Sequence, residues 1–373
     1  MKIGILTVPF NNNYGGYLQS YALMTILKEL NHTPILINRR QNKQSILHQS
    51  IFFSKQLIKT ILKFKKQKLF QSEQSFRFRG KEMLKFVHKY IQPITSPIYN
   101  SKDLSNFCEQ EQFDAVIVGS DQVWRAIYVP NIEDYFLSFV KNKSTKKIAY
   151  AASFGTRHPE YSNIQKTNCG KLTQSMTAIS VREANGLDIF QEFGWDNSAV
   201  KVVLDPTMLL PKSHYENLIK HNHKKELENS IFCYILDLDT KAAAIIKQAC
   251  NILHKKTYDI IDMKKRNNAN YVLPSIEDWL TGIHDSSFVI TDSFHGTIFS
   301  ILFNNPFAVY VNENRGADRF YSLLKVFGLE DRIITINNSI NTILQKKIDW
   351  GKVNQIIENE KQQSLLFLKQ ALN

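Results

Sequence analysis

Short β-branched runs alternate with stretches of helical period along almost the whole chain, and this rhythm leaves few folds open to it. The candidate strands of a first series are Lys2–Val8, Pro34–Asn38, Asp114–Gly119, Lys147–Ala152, Thr177–Val181 and Lys201–Leu204. Helical patterns such as Tyr17–Leu30 and Glu183–Phe193 lie between several of them. A second series follows, with Ile231–Asp237, Tyr258–Ile261, Phe288–Thr291 and Phe307–Val311 separated by Lys241–Leu253 and Ile276–His284. Alternation of this kind predicts parallel sheets covered by helices on both faces. At 373 residues the chain has room for two such cores. The reading is α/β, with two tandem Rossmann-like domains of parallel sheet and a cleft between them. The first spans 1–206 and carries a basic helical insertion at about 39–95. The second spans 207–345, and a C-terminal helix occupies 346–373.

No apolar run is long enough to cross a bilayer. The opening Met1-Lys2-Ile3-Gly4-Ile5-Leu6 reads as a strand rather than as a signal peptide. Cys108, Cys169, Cys233 and Cys250 are scattered, and no histidines pair at metal-ligand intervals. The expectation is reduced thiols in a cytoplasmic protein, with no metal site.

Ligands of open parallel sheets bind beyond the carboxyl ends of the strands. The loops predicted there are unusually rich in glycine, amides and charge: Asn11–Gly16, Gly119–Arg125, Ser153–Gly155 and Arg182-Glu183. In the second half, Thr291-Asp292-Ser293-Phe294-His295-Gly296-Thr297 joins a buried strand to the apolar helix Ile298–Phe303. A helix N-terminus offers unpaired N–H groups and the positive end of the dipole, so it suits an anion. Asp292 and Ser293 are both capping candidates. Read without its neighbours, His295 suits a capping loop as well as a site. Arg182 is either an anion ligand or the partner of Glu183 or Asp121. Gly15-Gly16 lets backbone approach a ligand closely. The dinucleotide fingerprint is absent, since no third glycine follows and no acid ends the second strand.

These motifs together resemble the polysaccharide pyruvyl transferase family. The resemblance runs nearly end to end: Asn13-Tyr14-Gly15-Gly16-Tyr17-Leu18-Gln19, Gly119-Ser120-Asp121-Gln122-Val123-Trp124, Ser180-Val181-Arg182-Glu183 and Asp205-Pro206-Thr207. It continues through Thr291–Thr297 to the tail from Trp350 to Leu372. It implies a GT-B-like fold with the active site between the domains. The implied reaction moves a pyruvyl group from phosphoenolpyruvate to a sugar as a cyclic ketal. By resemblance His295 is the histidine of the phosphoenolpyruvate site and Arg182 an arginine binding the same ligand. The chain departs from the family at one point. Family members often carry Arg-Leu-His where this chain has Ser293-Phe294-His295, so one cation is missing, and Arg125, Arg315 and Arg319 are the candidates to replace it.

On this reading His295 serves as general acid/base or phosphate ligand, a role suited to an imidazole titrating near neutrality. Asp121 is the candidate base for the sugar hydroxyl, and Trp124 a stacking platform for the sugar. Substrate contacts are expected from Asn13, Tyr14, Gly15, Gly16, Gln19, Trp124, Arg125, Arg182, Ser293, Phe294, Gly296, Thr297, Arg315 and Arg319. No metal or cofactor is required beyond phosphoenolpyruvate as co-substrate. The rival readings are a glycosyltransferase using a sugar nucleotide and a nucleic-acid-binding protein. The second is disfavoured because the basic stretch holds no recognised module.

The net charge of +13 is concentrated. From Arg39 to Lys89 there are 14 Lys and Arg against Glu73 and Glu82, so the rest of the chain is nearly neutral. Within 50–70, Leu57, Ile58, Ile61, Leu62 and Leu69 share one helical face, opposite Lys59, Lys63 and Lys66. Such a helix suits an anionic membrane surface, each cation contributing about 1 kcal/mol. The partners expected are therefore phosphoenolpyruvate, a glycan acceptor, lipid-linked or free, and the inner face of the membrane.

Overall fold

A computed structural model describes residues 1–41, 73–261, 265, 268, 270–311 and 316–373. The basic helix expected at 50–70 lies outside the described residues. The first half runs β1 (Lys2–Leu6), α1 (Tyr14–Glu29), β2 (Thr33–Ile37), α2 (Glu73–Arg79), α3 (Lys81–Tyr90), α4 (Ser101–Glu111) and β3 (Ala115–Val118). It continues with β4 (Lys146–Ala152), α5 (Asn163–Thr173), β5 (Ala178–Val181), α6 (Asn185–Glu192) and β6 (Lys201–Val202). The second half begins α7 (Lys212–Ile219), β7 (Ser230–Tyr234), α8 (Thr240–Leu253), β8 (Lys256–Asp259), α9 (Ile276–Asp285) and β9 (Phe288–Thr291). It ends α10 (Phe294–Leu302), β10 (Phe307–Val309), α11 (Asp318–Phe327), α12 (Ile340–Gln345) and α13 (Trp350–Leu372).

The strands form two sheets, ordered β2-β1-β3-β4-β5-β6 and β10-β9-β7-β8, with every pairing parallel. Parallel strands are covered on both faces, which is why β3 and β9 are buried at every position. The expected strands all form, most of them trimmed at their ends where the chain turns into loops.

One apolar core covers a face of each sheet and joins the halves, whereas two further cores stay within one half each. Its centre is a stack of Tyr14 on Trp279, with ring centroids 5.4 Å apart and planes 8° from parallel. The Tyr14 hydroxyl donates to the Pro274 carbonyl at 3.1 Å, so this buried phenol has its polar end satisfied across the halves. The tail does not stay with the second half. Helix α13 crosses back to the first sheet, where Ser364 Oγ accepts the Leu204 N–H at 3.0 Å and Lys146 donates to the Leu372 carbonyl. Trp279 is fully buried in the shared core. Trp279→Ala is therefore expected to destabilise the protein by about 3–5 kcal/mol. Urea unfolding would read this as a lower midpoint at unchanged slope.

Candidate functional site at the junction of the two sheets

Helix α1 starts beyond the carboxyl end of β1, and helix α10 starts beyond the carboxyl end of β9. Asn13 caps α1 by accepting from the Gly15 N–H at 3.3 Å, and Ser293 caps α10 by accepting from Gly296 at 3.3 Å. Asp292, the other capping candidate, acts elsewhere. It accepts the Leu236 and Asp237 N–H groups and ties down the end of β7. The two helix starts meet. A Cβ on Gly15 would collide with the His295 ring, so only glycine lets the imidazole lie against this turn. The close approach expected of the Gly15-Gly16 turn is thus made by His295 itself.

Asp205 is the hub of the site. Its Oδ1 accepts from the Thr207 N–H at 3.0 Å and the Thr207 hydroxyl at 2.7 Å, which fixes the carboxylate. Its Oδ2 accepts from the Ser120 hydroxyl and from Arg182 Nη1, both at 3.0 Å, and lies 3.6 Å from His295 Nε2. Arg182 also meets Glu183 Oε2 at 3.3 Å and Asp121 Oδ1 at 3.7 Å. Glu183 is held from its other oxygen by the Ser153 hydroxyl. Of the two readings of Arg182, its ion pairs with Glu183 and Asp121 are both present, and Asp205 adds a third. Its guanidinium lies over the Phe294 ring at 4.2 Å, a cation–π contact. Arg319 Cζ stands 5.6 Å from the same ring. Arg319 is positioned through Gly316, whose φ of +76° and closeness to the Gly155 carbonyl both exclude a side chain.

Burial penalises every charge here, and the neighbours decide the outcome. For Asp205 burial raises the carboxyl pKa, but His295, Arg182 and Thr207 outweigh it and hold the group well below the usual carboxylate range. For Arg182 burial acts downward, and Glu183, Asp205 and Asp121 push the pKa above its ordinary value. Arg319 has the opposite balance: burial and the like charge of Arg182 lower it to about 10. Within this cluster two buried atoms carry unused hydrogen-bonding capacity, Arg182 Nη2 near Asp121 and His295 Nε2 near Asp205. An arrangement of two guanidiniums, an imidazole and three carboxylates, with capacity to spare, is equipped to bind an oxyanion and to move a proton.

The structure sorts the other expected residues. Asp121 joins the cluster with φ +71°, a left-handed conformation that aspartate tolerates better than most residues. Phe294 floors it. Gly16 lies beside it, since a Cβ there would be 3.9 Å from Asp121 Oδ2. Gly296 and Thr297 shape the helix start, Gly296 against Thr291 and Thr297 Oγ1 donating to the Ser293 carbonyl. Trp124 is not a sugar platform. It is fully buried, donates Nε1–H to the Tyr135 carbonyl and stacks on Phe136, so it belongs to the core behind the site. Gln19 likewise spends its amide inside the protein, donating to Thr7 and accepting the Ser120 N–H. Tyr14 is committed to Trp279 and Pro274. Arg125 pairs with Glu160 and Tyr128 at the periphery. Arg315 lies outside the described residues. Asp205, Glu183 and Ser120 stand within the sequence motifs, but sequence reasoning gives Asp205 and Ser120 no part in the site and Glu183 only that of an ion-pair partner. Asp-Pro-Thr signals a cap, and nothing local shows that its second oxygen faces His295 from the other half of the chain.

The family model for polysaccharide pyruvyl transferase matches residues 13–314, which holds every residue of this cluster except Arg319. The chain belongs to that family. The polysaccharide pyruvyl transferase family places it among transferases of polysaccharide biosynthesis. Curated proteins give no match. Similar solved structures include a UDP-N-acetylglucosamine 2-epimerase from Rickettsia bellii, at 10% identity and TM-score 0.54, covering 100% of this chain and 97% of that one. Another is the Methanocaldococcus jannaschii UDP-GlcNAc 2-epimerase in complex with UDP-GlcNAc and UDP, at 12% and 0.51, covering 96% and 99%. A third is Arabidopsis thaliana UGT89C1 complexed with UDP-L-rhamnose, at 9% and 0.52, covering 98% of both chains. These likenesses establish a GT-B fold, as the resemblance implied. Among the described residues no helix is long and apolar enough to cross a membrane.

A depressed carboxyl stabilises the fold above its unfolded pKa of about 4 and loses that contribution as the pH falls below it. Asp205→Asn should therefore cost roughly 3–5 kcal/mol near neutrality, as expected for a broken buried pair. The gap in unfolding temperature between the two proteins should narrow steadily below about pH 4. A gap that stays constant into acid would contradict the assignment of Asp205 as a buried, ionised hub.

Proposed function

We propose that the protein transfers a pyruvyl group from phosphoenolpyruvate to two hydroxyls of one sugar in a polysaccharide or lipid-linked precursor. The observation that carries this reading is that two buried nitrogens of one cluster, His295 Nε2 beside Asp205 and Arg182 Nη2 beside Asp121, have hydrogen-bonding capacity to spare. In the reaction the methylene carbon of the donor takes a proton and a sugar hydroxyl adds to the neighbouring carbon. The C–O bond to phosphate then breaks, inorganic phosphate leaves, and the second hydroxyl closes the ketal. One hydroxyl proton replaces that delivered to the methylene, and the other leaves with phosphate. His295 is suited to the proton transfers, with Asp205 orienting it. Asp121 is suited to accept from the sugar hydroxyl.

Charge is the main demand on this reading. Asp121, Glu183 and Asp205 outnumber Arg182 and Arg319 by one, so a polyanionic donor needs help beyond the guanidiniums. The His295 imidazole and the N–H groups opening α10 are the nearest further donors. Arg319 takes the part of the arginine that Ser293 replaces, since it shares Phe294 with Arg182. The sequence of 50–70 supports an acceptor assembled on a lipid at the inner membrane face, with this lysine-rich segment drawing the enzyme there.

A glycosyltransferase reading has one observation in its favour. A cavity of about 740 Å³ opens beside β7 and β8, lined by residues including Tyr234, Leu238, Lys247 and Asp259. A donor screen with glycan acceptor separates the two: phosphate release from phosphoenolpyruvate supports pyruvyl transfer, and consumption of a sugar nucleotide alone overturns it. With the pyruvyl donor, His295→Ala should lower kcat by about two orders of magnitude or more. Arg319→Ala should raise the KM for phosphoenolpyruvate by roughly tenfold, a loss of about 1.4 kcal/mol of binding, with a smaller change in kcat. Arg182→Lys should rescue little of Arg182→Ala, because an ammonium does not reproduce the planar fork.

A further inference from the structure

On the far side of the second half, the chain brings together two histidines from separate elements. His223 lies in the loop after α7, while His284 and Asp285 end α9. Asp285 Oδ1 is 2.9 Å from His223 Nδ1 and 2.7 Å from His284 Nδ1. The three residues can offer ligating atoms that all lie within 4.8 Å of one another. A tetrahedron of bonds near 2.0–2.1 Å has edges of roughly 3.3 Å, within reach of small side-chain rotations here.

The surroundings suit a ligand set rather than a chance surface cluster. Asp285 Oδ2 accepts the Lys224 N–H at 2.7 Å, which anchors the carboxylate and leaves Oδ1 facing the imidazoles. The nearby Lys224 ammonium is engaged by Asp278 at 2.9 Å instead of neutralising Asp285. The loop that carries His223 is tied to α9 through Asn222, which donates to Asp278 and Thr281. His284 packs its ring edge-on against Phe303, with centroids 5.0 Å apart. Its Nε2 lies 3.9 Å from Glu216 Oε1. A metal-ligating histidine commonly donates its second N–H to a carboxylate, and Glu216, which also meets Lys212 Nζ at 3.4 Å, is the nearest carboxylate, one that must move closer to accept it.

We propose that His223, His284 and Asp285 form a binding site for a divalent zinc-type cation, with water completing the coordination. Two imidazoles and one carboxylate favour zinc over magnesium or calcium, which prefer oxygen ligands. His284 and Asp285 precede β9 and His295 follows it, so the two sites sit at opposite ends of the strand. A bound ion would pin the loop after α7 to the end of α9. The proposal departs from the expectation of no metal site, which rested on spacing along the chain.

The test uses the full-length protein stripped with a chelator and titrated with zinc chloride by calorimetry, with cobalt absorption reporting the ligand geometry. One equivalent should bind at about micromolar affinity or tighter, with a rise in unfolding temperature. His223→Ala and His284→Ala should each weaken binding at least tenfold, and Glu216→Gln should weaken it by about tenfold as an outer partner. His223→Gln, in an exposed loop, guards against loss of folding, and the metal-free unfolding temperature of each variant verifies it. Absence of saturable uptake overturns the proposal. So does affinity unchanged in the His223→Ala/His284→Ala double variant, which would mark the histidines as partners of Asp285 only.

Discussion

One buried carboxylate organises the junction on which the rest of the molecule depends. Asp205 is desolvated on every side, a position that strongly disfavours an ionised group unless each oxygen is matched. Thr207 matches one oxygen, while Ser120, Arg182 and His295 share the other. Those partners come from different places: the loop after β3, the end of β5 and the start of α10. The charge therefore makes the mutual position of the two sheets specific in a way that the shared apolar core cannot. Apolar contacts such as Tyr14 on Trp279 supply attraction, but they tolerate sliding far better than a carboxylate with fixed donors.

The same constraint explains why so many polar residues near the site are not available to a ligand. The Gln19 amide oxygen takes up the Ser120 N–H, and Glu183 is shared between Ser153 and Arg182. These residues build the frame. The capacity left over in this cluster is small: one guanidinium nitrogen near Asp121 and one imidazole nitrogen near Asp205. A frame that satisfies most of its buried groups and leaves two nitrogens unused within one cluster is how a protein keeps a site rigid before a ligand arrives.

Much of the fold is legible in the chain because parallel sheets demand it. Strands covered on both faces need unbroken apolar runs, and Ala115–Val118 and Phe288–Thr291 show themselves for that reason. His295 and Arg182 are legible as well, since each follows such a run closely and a strand end leads to the ligand edge. Trp124 and Tyr14 are less so. An aromatic in a polar loop reads as a binding residue until the structure reveals which side of the loop carries the core. Nothing in Gly119–Arg125 tells that Trp124 turns inward to Phe136.

The sequence by itself determined the alternation of strands and helices, the two sheets, the edge on which the buried charged groups collect and the family. Each of these follows from periodicity or from motifs contiguous in the chain. Tertiary structure alone decided which groups share a charge. Asp205 meets His295 from the other half, Gly15 takes the imidazole of that same helix start, and His223 faces His284. Such pairings depend on how the two halves and their helices pack, and packing energy is spread over many weak apolar contacts that leave no local mark on the residues they bring together.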